Sequence, residues 1–138
     1  MAIVQTQTTS FKAQLYQGIH DLTTDVIKIA LYTANANLNE DTTVYTTTAE
    51  ITGTGYVAGG ELLLNVTVQA VDGVAYVNFD DPTWSPATLT ARGALIYNSS
   101  QGNKSIAVLD FGSDKTMSPA FVIVLPANAA TSAVIRIT

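Results

Sequence analysis

The sequence predicts an all-β protein, an antiparallel, jelly-roll-like β-sandwich carrying one short N-terminal helix. Three observations lead there. Apolar and polar residues alternate with a period of two in most segments after residue 25. Turn residues punctuate the chain at short, regular spacing, Asp72-Gly73 and Asn98 to Asn103 among them. No strand–helix–strand alternation of the kind that builds parallel sheets is present.

Residues 1 to 9 are rich in Gln and Thr and lack periodicity, so they read as a flexible or partner-docked arm preceding a single domain over 10–138. Ser10 is expected to cap the one helix, whose apolar stripe is Phe11, Leu15, Ile19 and Leu22. Gly18 falls inside that stripe and is expected to weaken the helix by about 1 kcal/mol relative to Ala. Val26 to Tyr32 follows as a half-buried strand, with Ile27, Ile29 and Leu31 inward. Asn35 to Thr48, polar and Thr-rich, reads as a long loop, and loops of that length are usually functional or disordered.

The hairpin from Asn65 to Phe79 is the most strongly specified element. Asp72-Gly73 suits a two-residue turn with positive φ, which sets Val71 opposite Val74, Val68 opposite Val77 and Val66 opposite Phe79. The apolar pattern demands the same register. Leu89 to Tyr97 and Ser105 to Phe111 form the next antiparallel pair, with Ala107, Leu109 and Phe111 on one face. Ala120 to Leu125 and Ala133 to Thr138 are expected to pair with each other across Pro126 to Ser132.

Composition narrows the function. Of 138 residues, 47% are apolar and 12% charged, where about 25% charged is ordinary. Such a surface favours a homo-oligomer or a chain covered by partners over a free monomer. The net charge is −5, and the six basic residues (12, 28, 92, 104, 115 and 136) are scattered. That argues against direct nucleic-acid binding, which needs clustered cations. With no cysteine, disulfides, thiolate catalysis and the common zinc sites are excluded. The N-terminus reads as no signal peptide, and the apolar run from Ala120 to Ala127 is too short for a bilayer. Synthesis in the cytoplasm and no membrane partner are the expectation, and the sequons at Asn65, Asn98 and Asn103 read as chance.

No motif assembles a catalytic, metal or cofactor site, and none is expected. His20 lies near Asp21 and Asp25, but no serine stands on a Gly-x-Ser-x-Gly turn. Gly53 to Gly60 has the glycine density of a dinucleotide fingerprint but leads into a strand, where turn or bulge roles are expected. Asp80, Asp81, Asp110 and Asp114 lack the ligand spacing of a calcium loop and suit caps and turns instead. Asp110-Phe-Gly112 spells a kinase tripeptide in a chain too short for a kinase. Trp84, Tyr56, Tyr76 and Tyr97 suit core or interface anchoring, with a carbohydrate platform as the alternative.

One ordered series of motifs remains: Asp25-Val-Ile-Lys-Ile-Ala-Leu-Tyr-Thr33, Thr52-Gly-Thr-Gly-Tyr56 with Gly59-Gly60, Asp80 to Trp84, Ala91-Arg-Gly-Ala-Leu-Ile-Tyr97 and Asp110-Phe-Gly112. This order, spanning roughly residues 11 to 114, resembles small structural proteins of tailed-bacteriophage virions. The resemblance implies a non-enzymatic capsid decoration (cement) protein on the outer capsid surface, with the phage major capsid protein as partner and a dimer or trimer as its own state. A minor tail or head-fibre protein is the alternative in the same setting. The arm at 1–9 and the loop at 35–48 are the segments expected to reach the capsid, so deleting the arm should leave the fold intact.

Overall fold

A computed structural model describes residues 2–126 and 133–137. The elements in chain order are β1 (Thr6–Gln7), α1 (Thr9–Tyr16), β2 (Ile27–Tyr32), β3 (Glu61–Leu62), β4 (Thr67–Val71), β5 (Val74–Asn78), β6 (Thr83–Trp84), β7 (Leu89–Asn98), a 3-10 turn (Ser99–Gln101), β8 (Lys104–Met117), β9 (Phe121–Val122) and β10 (Ile135–Ile137). They form a five-stranded sheet in the order β1-β8-β7-β2-β3, a three-stranded sheet β10-β5-β4 and a two-stranded ribbon β6-β9. Every ladder between these strands is antiparallel, giving a sandwich-like all-β fold.

The main core lies between one face of the large sheet and the two small sheets. Ile27, Ile29 and Leu31 of β2 and Ala94 and Ile96 of β7 meet Val77 of β5, Ile135 of β10, Trp84, Phe121 and Phe11 of the helix there. Apolar side chains at this density account for most of the driving force, roughly 1.5–3 kcal/mol for each large residue removed from water.

The opposite face of the large sheet is covered too, which corrects the reading of β2 as half-buried. Ala30, Tyr32, Leu95, Tyr97 and Val108 form a second core with Ile3, Ala36 and Leu38. The covering layer is irregular chain. Residues 35–50 lie over this face through Ala36, Leu38, Tyr45 and Ala49. The period-two pattern missed this because Lys28, Ala30 and Tyr32 look like an outward face until another segment lies on them.

Residues 2–8 are likewise part of the domain instead of a flexible arm. Thr6 and Gln7 pair with Val108 and Ala107. Val4 N donates to Leu38 O at 2.9 Å, Leu38 N returns to Ala2 O at 3.1 Å, and Ile3 is only 7% exposed. Gly93 makes room for Ile3, since a Cβ there would stand 2.8 Å from the Ile3 side chain and 2.7 Å from Leu109 O.

The helix also departs from expectation at both ends. Its cap is Thr8, whose hydroxyl accepts from Phe11 N, and Ser10 lies in the first turn. Thr8 is fully buried and its hydroxyl also meets Ser105 Oγ at 2.9 Å, a tertiary anchor that no local pattern encodes. The helix stops at Tyr16. Gly18 takes φ +70, with Gly18 N bonded to Leu15 O and Ile19 N to Gln14 O, a Schellman closure. Gly18 therefore ends the helix, and Leu22 reaches the core from the loop beyond it.

The β4–β5 hairpin has the expected register from Thr67↔Asn78 to Val71↔Val74, around Asp72 (φ 52) and Gly73 (φ 80). The last expected pair is replaced. Phe121 pairs with Trp84, and Ile135 pairs with Val77. Each pairing brings two buried core side chains together. Residues 127–132 of the expected connection lie outside the described residues.

Candidate functional site

The glycine-rich motif forms a loop pinned by a carboxylate that the sequence did not single out. Glu50 accepts from Tyr45 OH at 2.6 Å, from Gly59 N at 2.8 Å and from Tyr56 OH. Tyr56 OH in turn accepts from Leu31 N at 3.0 Å, tying the loop to the main sheet. Tyr97 OH donates to Gly59 O at 2.7 Å, and its ring stacks on Tyr45 at 4.7 Å. Burial and then the Glu50 charge push the Tyr97 hydroxyl up to about 12. Burial, with Glu50 beside them, raises Tyr32, Tyr45 and Tyr56 further still. These phenols stay protonated and donate, so the cluster clamps the loop.

Two glycines of the motif are required by the close approach of other backbone. Gly60 has φ +81, and a Cβ on it would run into the carbonyl of Ile29. Gly55 has φ +89, and a Cβ would meet Pro86 O and Ala87. No helix follows to offer free amides; the chain passes into β3 and then β4.

His20 is buried, and its neighbours are amides. Its Nε2 lies 2.7 Å from Gln14 Oε1 and its Nδ1 3.0 Å from Asn98 Nδ2. Nε2–H donates and Nδ1 accepts, which describes a neutral ring. Burial lowers its pKa most, Asp25 opposes this, and Lys104 adds to it. Asp25 reaches the histidine only through Asn98, whose Nδ2 donates to Asp25 Oδ2 at 2.8 Å. Asp21 caps its own turn at Thr23 N, 3.1 Å away. The group locks the α1–β2 connection onto the end of β7.

The aspartates are separately engaged. Asp80 accepts from Asn65 Nδ2, and Asp81 Oδ1 accepts from Leu125 N at 2.8 Å. Asp110 pairs with Arg92 and accepts from Gly112 N at 2.9 Å; these two, the amide first, hold its carboxyl below the ordinary range. Asp114 is exposed on β8. Among the described residues no three acidic, His or Cys side chains gather as a metal site, and no helix is long and apolar enough to cross a membrane.

The aromatic platform is not on the surface. Trp84 is 1% exposed, stacked near Tyr56 at 6.3 Å and edge-on to Phe121 at 6.0 Å. Tyr76 and Tyr97 are buried as well. Trp84, Tyr76 and Tyr97 therefore offer no open ring face to a sugar, and Tyr56 is half-buried.

What faces solvent is different in character. All five residues of β4 are exposed, none is charged, and Val68 and Val71 are 50% and 46% exposed. Among the described residues β4 is the outer strand of the three-stranded sheet, with no strand beyond it. Beside it runs an apolar groove of about 400 Å³ lined by Phe11, Leu15, Leu22, Val68, Val77 and Ile137 among others. Tyr16, 94% exposed, stands next to the groove's Leu15 and Ile137.

No protein-family model, curated protein or solved structure matches this chain.

Proposed function

We propose that this chain is a non-enzymatic structural subunit, a decoration protein seated on the major capsid protein of a tailed-phage head. The observation that carries the reading is β4, five exposed, uncharged residues on an open sheet edge, in a chain with few charges anywhere. Such an edge is a liability for a free monomer and an asset for an assembly subunit. The order of the motifs supports the virion setting. Glu50, Tyr56, Gly55, Gly60, Trp84, Arg92 and Asp110 all serve internal packing, as expected where a motif series specifies a scaffold and not a reaction.

The capsid contact is reassigned within this reading. The 2–8 segment is occupied with the domain's own sheet, so it is no longer the reaching arm. The outward side of the 35–48 loop, with Asn35, Asn37 and Asp41 exposed, remains the segment proposed to meet the shell. An acidic chain of net charge −5 suits a basic capsid patch.

The test is the ratio of this protein to the major capsid protein in purified virions, by quantitative mass spectrometry. A ratio near unity is expected. A few per cent would shift the reading to a tail or head fibre, and absence from virions would overturn both.

A further inference from the structure

We propose that β4 pairs with the β4 of a second copy of this chain, antiparallel, across a two-fold axis at Gln69. The inference rests on backbone geometry and holds whether or not the chain is a virion protein.

The turn fixes which backbone groups are open. Asp72 and Gly73 both have positive φ, so Val71 and Val74 flank a two-residue turn and exchange hydrogen bonds with each other. Antiparallel ladders alternate, so Gln69 also turns its N–H and C=O toward β5. Val68 and Ala70, between them, direct theirs to the open side of the sheet. Among the described residues neither has a backbone partner there.

Those two residues are complementary to themselves. With the axis at Gln69, Val68 of one copy faces Ala70 of the other and Ala70 faces Val68, giving four main-chain hydrogen bonds. Opposite residues then have the same parity, as a two-fold axis normal to the sheet requires. The result is a continuous six-stranded sheet, β10-β5-β4 joined to its own copy, with an isologous closed interface.

Charge favours a second copy over an unrelated acidic or basic strand. The chain carries −5, yet β4 has no charged residue, so two copies meet where they do not repel. The nearest acid, Asp72, would face Val66 of the other copy. The two Asp72 carboxylates would stand roughly 20 Å apart along the strands, beyond the screening length at physiological salt. Pairing also covers Val68, which forms the rim of the apolar groove.

The chain has no cysteine, which makes a cross-linking test clean. In the proposed register the two Gln69 positions form a non-hydrogen-bonded pair, Cα atoms about 4.5 Å apart, within disulfide reach. Position 70 faces position 68, so two copies of residue 70 would stand roughly 8 Å apart, too far to bridge. Mild oxidation should convert Gln69→Cys to a covalent dimer quantitatively and leave Ala70→Cys largely uncrosslinked. In sedimentation velocity the wild-type chain should run as a dimer at tens of micromolar. Val68→Lys should raise the dissociation constant about ten-fold or more with an unchanged circular dichroism spectrum. A wild-type chain that stays monomeric at about 100 μM, a dimer indifferent to Val68→Lys, or equal cross-linking at positions 69 and 70 would each overturn the proposal.

Discussion

The five-stranded and three-stranded sheets are built from similar alternating sequences, and their environments are opposite. In β2 and β7 nearly every residue is buried, because the main core covers one face and irregular chain covers the other. In β4 every residue is exposed. The difference is set largely by irregular chain: Ile3 and residues 35–50 lie over the back of the large sheet, and nothing among the described residues lies over the outer edge of the small one. An interior sheet and an interaction edge can share a local pattern, and the covering chain decides which is which.

The strongest way to break this comparison is to uncover the large sheet. Deleting residues 2–8 removes β1, the Thr8 cap and the buried Ile3. A loss of more than about 3 kcal/mol is expected, summing a large apolar truncation and a lost cap, and visible as a fall in Tm of roughly 10 °C or more. A deletion variant that melts with the wild type would show that the segment does not hold the sheet.

Glycine substitutions sharpen the contrast by comparing two turns of similar φ. Gly60→Ala should cost about 3 kcal/mol or more, because its Cβ meets the main-chain carbonyl of Ile29 in the large sheet. Gly73→Ala, at the tip of the exposed hairpin with open space around it, should cost only about 1–2 kcal/mol from its positive φ. Denaturant titration of both variants gives the comparison directly, and equal costs would contradict it.

Glu50→Gln tests the clamp on the back face. Losing the charge that accepts from Tyr45, Tyr56 and Gly59 should cost about 2 kcal/mol. It should also move tyrosine ionisation to lower pH in an absorbance titration, since the Glu50 charge holds these phenols up. A stability loss with no shift in ionisation would separate Glu50 from that role.

The histidine gives a smaller effect with a definite sign. Burial depresses His20 below its ordinary value of 6.5, so the unfolded chain binds the proton more readily. Stability should be level above pH 6.5 and fall as the pH drops below it, until the folded-state pKa is passed. His20→Gln should remove that portion of the pH dependence in melting curves taken between pH 7 and 5, while a curve unchanged by the substitution would exclude it.

The sequence made the hairpin and the β7–β8 pair legible because turn residues and apolar spacing agree locally at Asp72-Gly73 and at Asn98 to Asn103. What it hid depends on contacts between distant segments. Trp84 meets Phe121 and His20 meets Asn98 across long stretches of chain, and no short window contains either pair. The covering loop buries only a few irregularly spaced apolar residues among many threonines, so its packing left no period to find. Glu50 is a related case; its signal in the sequence is a lone carboxylate set between Tyr45 and Tyr56 at the head of an apolar, glycine-rich stretch.

Residue-resolved amide hydrogen exchange on dilute, monomeric protein tests the contrast between the two sheets most directly. Leu95 and Ile96 of β7, covered on both sides, should exchange only through global unfolding. Val68 and Ala70 of β4, whose amides face the open edge, should exchange close to the unprotected rate. Protection at Val68 and Ala70 equal to that at Leu95 would contradict the account, because it would mean that the small sheet's edge is already covered within a single chain.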